Sequence, residues 1–163
     1  MKHKLIHEPS KWDLRFFALA KEVSTWSKDP STKTGAVIIN EEKIVISTGY
    51  NGFPRGMYDG PELYENRNIK YTRILHADLN AILSAKQNVT GYTIYTYPFF
   101  TCATCALAII QAGIKTVISP EFQDAGLQKR WNQSTELAKT FYRESGIDFK
   151  LMEISYARLE EVS

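Results

Sequence analysis

The sequence predicts an α/β fold, a layered sandwich around one mixed five-stranded sheet with helices on both faces. Helical periodicity and short β-branched runs alternate in the order α-β-β-α-β-α-β-α-β, and such alternation builds α/β sandwiches. The 163 residues suffice for one domain burying roughly 70 % of its unfolded surface, and are short for two. The composition, 44 % apolar and 23 % charged, is that of a globular chain rather than a disordered, collagenous or coiled-coil one.

The elements follow in order. Residues 1–9 read as a polar tail, with His3 and His7 in solvent. Ser10 and Asp13 form a capping-box pattern. Trp12, Phe16, Leu19, Ala20, Val23 and Trp26 then recur at helical spacing, up to a stop near Asp29-Pro30. Residues 35–39 are an apolar run, 40–42 a turn and 44–49 a β-branched run, together a hairpin. Residues 51–75 carry Gly52, Pro54, Gly56, Gly60 and Pro61; a weakly periodic segment of that length is functional or mobile. A helix is expected over 76–86, with Leu79, Ile82 and Leu83 on one face, and a strand over 92–97. A second helix over 102–112 ends at Gly113, the usual place for a left-handed residue. A strand over 115–119, a helix over 134–145 ended by Gly146, and a strand over 147–154 complete the chain.

Charge and apolar runs exclude several classes of function. Twenty basic against 18 acidic residues give a net charge of +2, too weak for a polynucleotide or anionic membrane surface. No apolar run approaches the roughly 18 residues of a membrane span. The polar start lacks an apolar signal core, which predicts a cytoplasmic protein.

Both cysteines lie in one C-x-x-C pair, Cys102 and Cys105, and His76 is the histidine outside the N-terminal tail. Two sulfurs and an imidazole can hold one ion and leave a tetrahedral position open, which marks a catalytic rather than a structural zinc site. Parallel helices starting at His76 and Cys102 would bring two positive N-termini together and favour thiolates. Spacing alone leaves a redox pair and a buried apolar pair open as alternatives.

The segments His76-Ala77-Asp78-Leu79-Asn80-Ala81-Ile82 and Thr101-Cys102-Ala103-Thr104-Cys105-Ala106 resemble the signature of the zinc-dependent nucleobase deaminases, H-x-E with P-C-x-x-C. Three further stretches are similar to the deoxycytidylate (dCMP) deaminase branch. They are Ser27-Lys28-Asp29-Pro30-Ser31-Thr32-Lys33-Thr34-Gly35-Ala36-Val37, Gly49-Tyr50-Asn51-Gly52-Phe53-Pro54-Arg55-Gly56 and Ile109-Ile110-Gln111-Ala112-Gly113-Ile114. The resemblance covers about residues 11–152 and implies a cytidine-deaminase-like sandwich. It implies Zn2+ on His76, Cys102 and Cys105, and hydrolysis of dCMP to dUMP and ammonia, feeding thymidylate synthesis. Asp78 would carry protons between the attacking water, N3 and the leaving amine. Asn51 would bind the sugar, beside Ala77. Ser27, Lys28, Thr32 and Lys33, with Arg55, Arg67, Lys70 and Arg73, are candidates to supply charge or donors for a phosphate, a solvated surface position being the alternative for each; Phe99 and Phe100 wall the base or belong to the core. Gly52, Arg55 and Gly56 resemble a regulatory region that takes dCTP, with Mg2+, as activator and dTTP as inhibitor, in a homohexamer.

Two positions depart from the pattern. Thr101 replaces proline, and as a good N-cap it keeps the helix start intact. Asp78 replaces glutamate, a retreat of roughly 1.5 Å along the side chain. A misplacement of about 1 Å costs on the order of 100-fold in rate. The alternative to an active deaminase is therefore a weak or inactive nucleotide-binding relative with a regulatory role.

Overall fold

The computed structural model describes residues 6–121 and 125–162. Along the chain run β1 (Ile6–His7), α1 (Lys11–Ser24), β2 (Gly35–Ile39), β3 (Val45–Tyr50), α2 (Pro61–Glu65), α3 (Arg67–Arg73), α4 (Ala77–Ser84), β4 (Thr93–Tyr97), α5 (Ala103–Gln111), β5 (Thr116–Pro120), α6 (Ala125–Ser145), β6 (Asp148–Met152) and α7 (Tyr156–Glu160).

The sheet has six strands in the order β1-β6-β5-β4-β2-β3, one more than expected. The extra strand comes from the expected tail: Ile6 and His7 pair in parallel with Leu151 and Met152. Two residues carry no periodicity, so only the partner strand reveals them. His3 lies outside the described residues. β4, β5 and β6 are parallel, and β2 is antiparallel to β3 and β4. Strand alternation divides the core into two layers. Val37 and Ile39 face Phe16, Phe17 and Ala20 of α1 and Leu159 of α7. Ala36 and Ile38 face the layer of Ala81 (α4), Ile109 (α5) and Tyr142 (α6). The expected three-layer arrangement is thus present.

The capping box closes: Ser10 Oγ accepts from Asp13 N and Asp13 Oδ2 accepts from Ser10 N. Asp13 also accepts a 2.6 Å bond from the Tyr95 hydroxyl across the buried layer. The insertion over 51–75 holds two short helices, joined at Asn66, whose side chain caps α3 by accepting from Ile69 N. Its ends are pinned by a backbone pair between Gly52 and Leu75. The final helix, α7, escaped prediction because five residues are too few to show a period. Among the described residues no helix is long and apolar enough to cross a membrane.

Three contacts set where α4 lies. A Cβ on Gly49 would stand 2.4 Å from both Ala77 O and Ala81 N, so α4 lies directly on the β3 backbone. Ser47 Oγ donates to Ala81 O at 2.6 Å and Asn80 Nδ2 donates to Tyr50 O at 2.9 Å, fixing the helix along the strand. At the other end of α5, Gly113 has φ +81°, the left-handed conformation its position predicts.

Candidate active site

α4 and α5 pack side by side on one sheet face and present their N-termini to a common point. His76 is the N-cap of α4 and Cys102 the N-cap of α5. Cys102, not Thr101, caps α5: its sulfur accepts from Cys105 N at 3.4 Å. Thr101 lies one residue too early to reach the first helical N–H groups. It is buried, and its hydroxyl bonds to Tyr142 on α6 at 2.7 Å. The Ser134 hydroxyl of α6 accepts from Ala103 N, a further hold on the start of α5.

His76 Nδ1 lies 3.4 Å from Cys102 Sγ and 3.3 Å from Cys105 Sγ. The three donor atoms fall within 4.8 Å of one another. Zinc bonds of about 2.0–2.3 Å at tetrahedral angles need donors roughly 3.5–3.8 Å apart. The separations of His76 from the two sulfurs therefore fit zinc with shifts of a few tenths of an ångström, and the three donors are of the type zinc takes. Hydrogen bonds from Cys105 and then His76 hold the Cys102 thiol down at about 4, against the opposing effect of burial. The same bond to Cys102, with burial, pushes Cys105 up. The Cys102 bond also raises His76 above its ordinary value. The ionised Cys102 sulfur thus stands beside a Cys105 thiol held protonated, a proton that a bound cation would release.

Asp78 occupies the second position of α4 and is 9 % exposed. Burial pushes its carboxyl up to about 7, and the charge on Cys102 adds to the rise, while His76 and a hydrogen bond from Cys105 oppose it. A carboxyl that changes protonation near neutral pH can both take and give a proton.

Asp78, His76, Ala77 and Cys102 open into one cleft. Its walls come from the 27–34 loop (Asp29, Ser31, Thr32, Thr34), from α3 and its continuation (Arg67, Lys70, Tyr71, Ile74), and from α6 (Arg130, Trp131, Thr135). Asn51 lines it, with both amide ends engaged: Oδ1 accepts from Thr34 N and Nδ2 donates to Thr32 O, each at 2.8 Å. Phe99 lies on the wall, stacked on Trp131 with centroids 6.2 Å apart; Phe100 serves the wall and the core together.

Other expected residues lie elsewhere. Ser27 is buried under the cleft wall, where its hydroxyl donates to Asn51 O at 2.7 Å. Lys28 is exposed and paired with Asp59 at 2.7 Å. Lys33 Nζ donates to Ser27 O. Arg73 is exposed and does not line the cleft. Gly52 and Arg55 line a separate depression with Trp26, Tyr50 and Lys86, and Gly56 is an exposed turn residue with φ +83°.

Sequence reasoning missed Arg130 and Trp131 because it began the last long helix at residue 134, and missed Thr135 because nothing local shows which face of that helix meets the cleft. The signal was present: Trp131, Ala138 and Tyr142 recur at helical spacing. The polar Thr135 interrupts that stripe because it faces the cleft instead of the core.

Comparison with known proteins bears on this arrangement. The model of the cytidine and deoxycytidylate deaminase zinc-binding region matches residues 10–120. An "uncharacterized deaminase in luxG 3'region" of Aliivibrio fischeri is 43 % identical over 139 residues, covering 85 % of this chain and 92 % of that protein. The deoxycytidylate deaminase of Mus musculus is 35 % identical over 156 residues, covering 91 % and 83 %. Among solved structures, the dCMP deaminase of cyanophage S-TIM5 in complex with dCMP and dUMP superposes with a TM-score of 0.67 at 21 % identity. That superposition covers 90 % of this chain and all of the other, and it speaks for the fold. With the family model spanning both helix starts that carry His76, Cys102 and Cys105, the chain belongs to the cytidine and deoxycytidylate deaminase family with its zinc-binding region.

Proposed function

We propose that this protein hydrolyses dCMP to dUMP and ammonia, with His76, Cys102 and Cys105 as zinc ligands and Asp78 as the proton carrier. The observation that carries the reading is the cluster of three metal-type donors beside a buried carboxyl, of which His76, Cys102 and Asp78 open into one cleft. Zinc in such a set supplies Lewis acidity and lowers the pKa of water towards about 7. Asp78, ionised, takes a proton from the attacking water. Protonated, it delivers that proton to N3 of the ring; ionised again, it takes the proton of the new C4 hydroxyl and hands it to the amine, so that the C4–N bond breaks, ammonia leaves and the C4 carbonyl forms. The positive ends of α4 and α5 favour the thiolates and the developing negative charge. Phe99 and Trp131 offer the base an aromatic wall, and Asn51 with Ala77 lies where the sugar would meet the protein. Mouse and human relatives named deoxycytidylate deaminase, each 35 % identical, support the choice of substrate. We further propose that Gly52, Arg55 and Gly56 belong to a regulatory site for dCTP with Mg2+ or dTTP in a homohexameric, cytoplasmic enzyme; in support, Gly52 and Arg55 line a depression separate from the cleft.

Zinc-loaded protein mixed with dCMP is expected to lose cytosine absorbance with release of one ammonia per dUMP. No turnover at full zinc occupancy overturns the catalytic reading. One observation favours a second reading: Asp78 is one carbon shorter than the glutamate of the family pattern. On that reading the protein binds the nucleotide and turns it over poorly or not at all. Tight dCMP binding without turnover, together with turnover gained in Asp78→Glu, would establish it.

A further inference from the structure

A lysine side chain is seldom buried unless its charge is matched. Lys70 projects from α3 with 6 % of its side chain exposed. Its Nζ lies 3.2 Å from Oδ1 of Asp29, whose side chain is 4 % exposed. Both residues line the cleft. They come from segments 41 positions apart, the loop before β2 and the 51–75 insertion.

Asp29 is also the anchor of its own loop. Its Oδ1 accepts from Ser31 N at 2.9 Å and from Thr32 N at 3.4 Å. The next residues carry the bonds to Asn51 described above, and Ser27 Oγ accepts from Asp29 N at 3.2 Å while donating to Asn51 O. The loop therefore holds its shape as one hydrogen-bonded unit. Its hydrogen bonds to Asn51 join it to the first residue of the insertion; what joins it to the helical part of the insertion is the Lys70–Asp29 pair and the Lys28–Asp59 pair. The second is exposed, with side chains 63 % and 42 % open to water, and such pairs contribute little.

Resting on the reading of this cleft as the nucleotide site, we propose that Lys70 and Asp29 are positioning residues: their buried pair fastens the insertion to the 27–34 loop and fixes the wall against which the nucleotide seats. Lys70 is not the reader of a substrate phosphate, because an anion placed on its ammonium would also face the Asp29 carboxylate. That charge is left to Arg67 and Arg130, which line the same cleft from α3 and α6 and form no ion pair among the described residues. Arg67 stands three residues before Lys70, on the same side of α3, so the latch also orients Arg67.

The test uses the full-length, zinc-loaded protein and dCMP. Lys70→Met keeps the apolar stem and removes the charge. Asp29→Asn keeps an oxygen for the Ser31 and Thr32 N–H groups and removes only the ion pair. Each is expected to raise KM for dCMP about tenfold with kcat within about threefold, the mark of a displaced binding wall. The double variant is no worse than Lys70→Met, because it leaves no uncompensated buried charge. Lys70→Arg keeps KM within about threefold. Amide exchange in residues 29–34 and 66–74 rises together in both single variants.

A KM rise in Lys70→Met with KM unchanged or lowered in Asp29→Asn overturns the inference, since it makes Lys70 a direct ligand. So does an unchanged KM in both, a fall in kcat alone, or faster exchange in 66–74 without 29–34. Should Lys70→Met fail to fold, Asp29→Asn and the double variant decide. If the native protein neither binds nor deaminates dCMP, the proposed function fails, and coupled exchange still decides on the latch.

Discussion

Replacing Asp78 by asparagine separates the chemistry of the site from its shape. The two side chains have nearly the same volume, so the cleft keeps its form while one group loses its ability to carry a proton. The carboxylates on the cleft wall, among the described residues, are Asp78 and Asp29. Asp29 is tied to Lys70 and to two backbone N–H groups, so it cannot take over the role. The loss should then span the full contribution of general acid–base catalysis, about 10²–10⁴ in kcat, or roughly 3–5 kcal/mol of barrier. Zinc content and KM for dCMP should stay within about threefold. The same variant has an opposite effect on the stability of the metal-free protein. The carboxyl rises from 3.8 to about 7 in the folded state, chiefly through burial. Between those values the folded chain holds more protons than the unfolded one, so this group makes stability fall as pH rises from about 4 to 7. Above that range the loss is complete, on the order of 4 kcal/mol. Asparagine carries no such penalty, so Asp78→Asn should gain on the native protein across that window and hold its advantage above it. Steady-state deamination of zinc-loaded protein and urea unfolding of chelator-treated protein at pH 4 and 8 measure the two effects. Turnover within threefold of native refutes the proton-carrier role. A stability difference that does not change with pH refutes the burial argument.

Other outcomes follow from contacts around the site. Thr101→Val should leave the buried Tyr142 hydroxyl without its 2.7 Å partner and cost about 1–3 kcal/mol in denaturant unfolding; an unchanged midpoint would argue that Tyr142 finds another partner. Gly49→Ala places a methyl 2.4 Å from the α4 backbone, so it should destabilise the fold by about 1–3 kcal/mol or more and weaken zinc binding by moving His76; metal titration reads the second effect, and native zinc affinity would sink it. Zinc binding near pH 7 should release the proton of the Cys105 thiol, seen as a calorimetric heat that varies with buffer ionisation. A buffer-independent heat contradicts the protonation pattern. Cys102→Ser should abolish stoichiometric zinc and, with it, any zinc-dependent rise in melting temperature.

The motif residues themselves were legible in the sequence because helix starts are local. The head of a periodic apolar stripe marks a helix start, so His76 and Cys102 could be placed at helix starts before their partners were known, although the cap of α5 was assigned one residue early. The layered α/β class was legible for the same reason, since each strand and helix carries its own period. Roles that depend on a distant partner were not. Thr101 looked like a cap and bonds to Tyr142, 41 residues away; Ser27 looked like a phosphate donor and holds Asn51 O from beneath the wall. Lys70 had the same sequence credentials as Arg67 and Arg73, and only the approach of Asp29 sets it apart. The strand at Ile6–His7 exists because β6 offers an edge to it. Short-range sequence thus determined which residue types stand at the helix starts and what metal chemistry they can support. Tertiary packing decided which polar side chains face the cleft and which hold its walls, because burial and pairing are set by chain segments that meet only in the folded state.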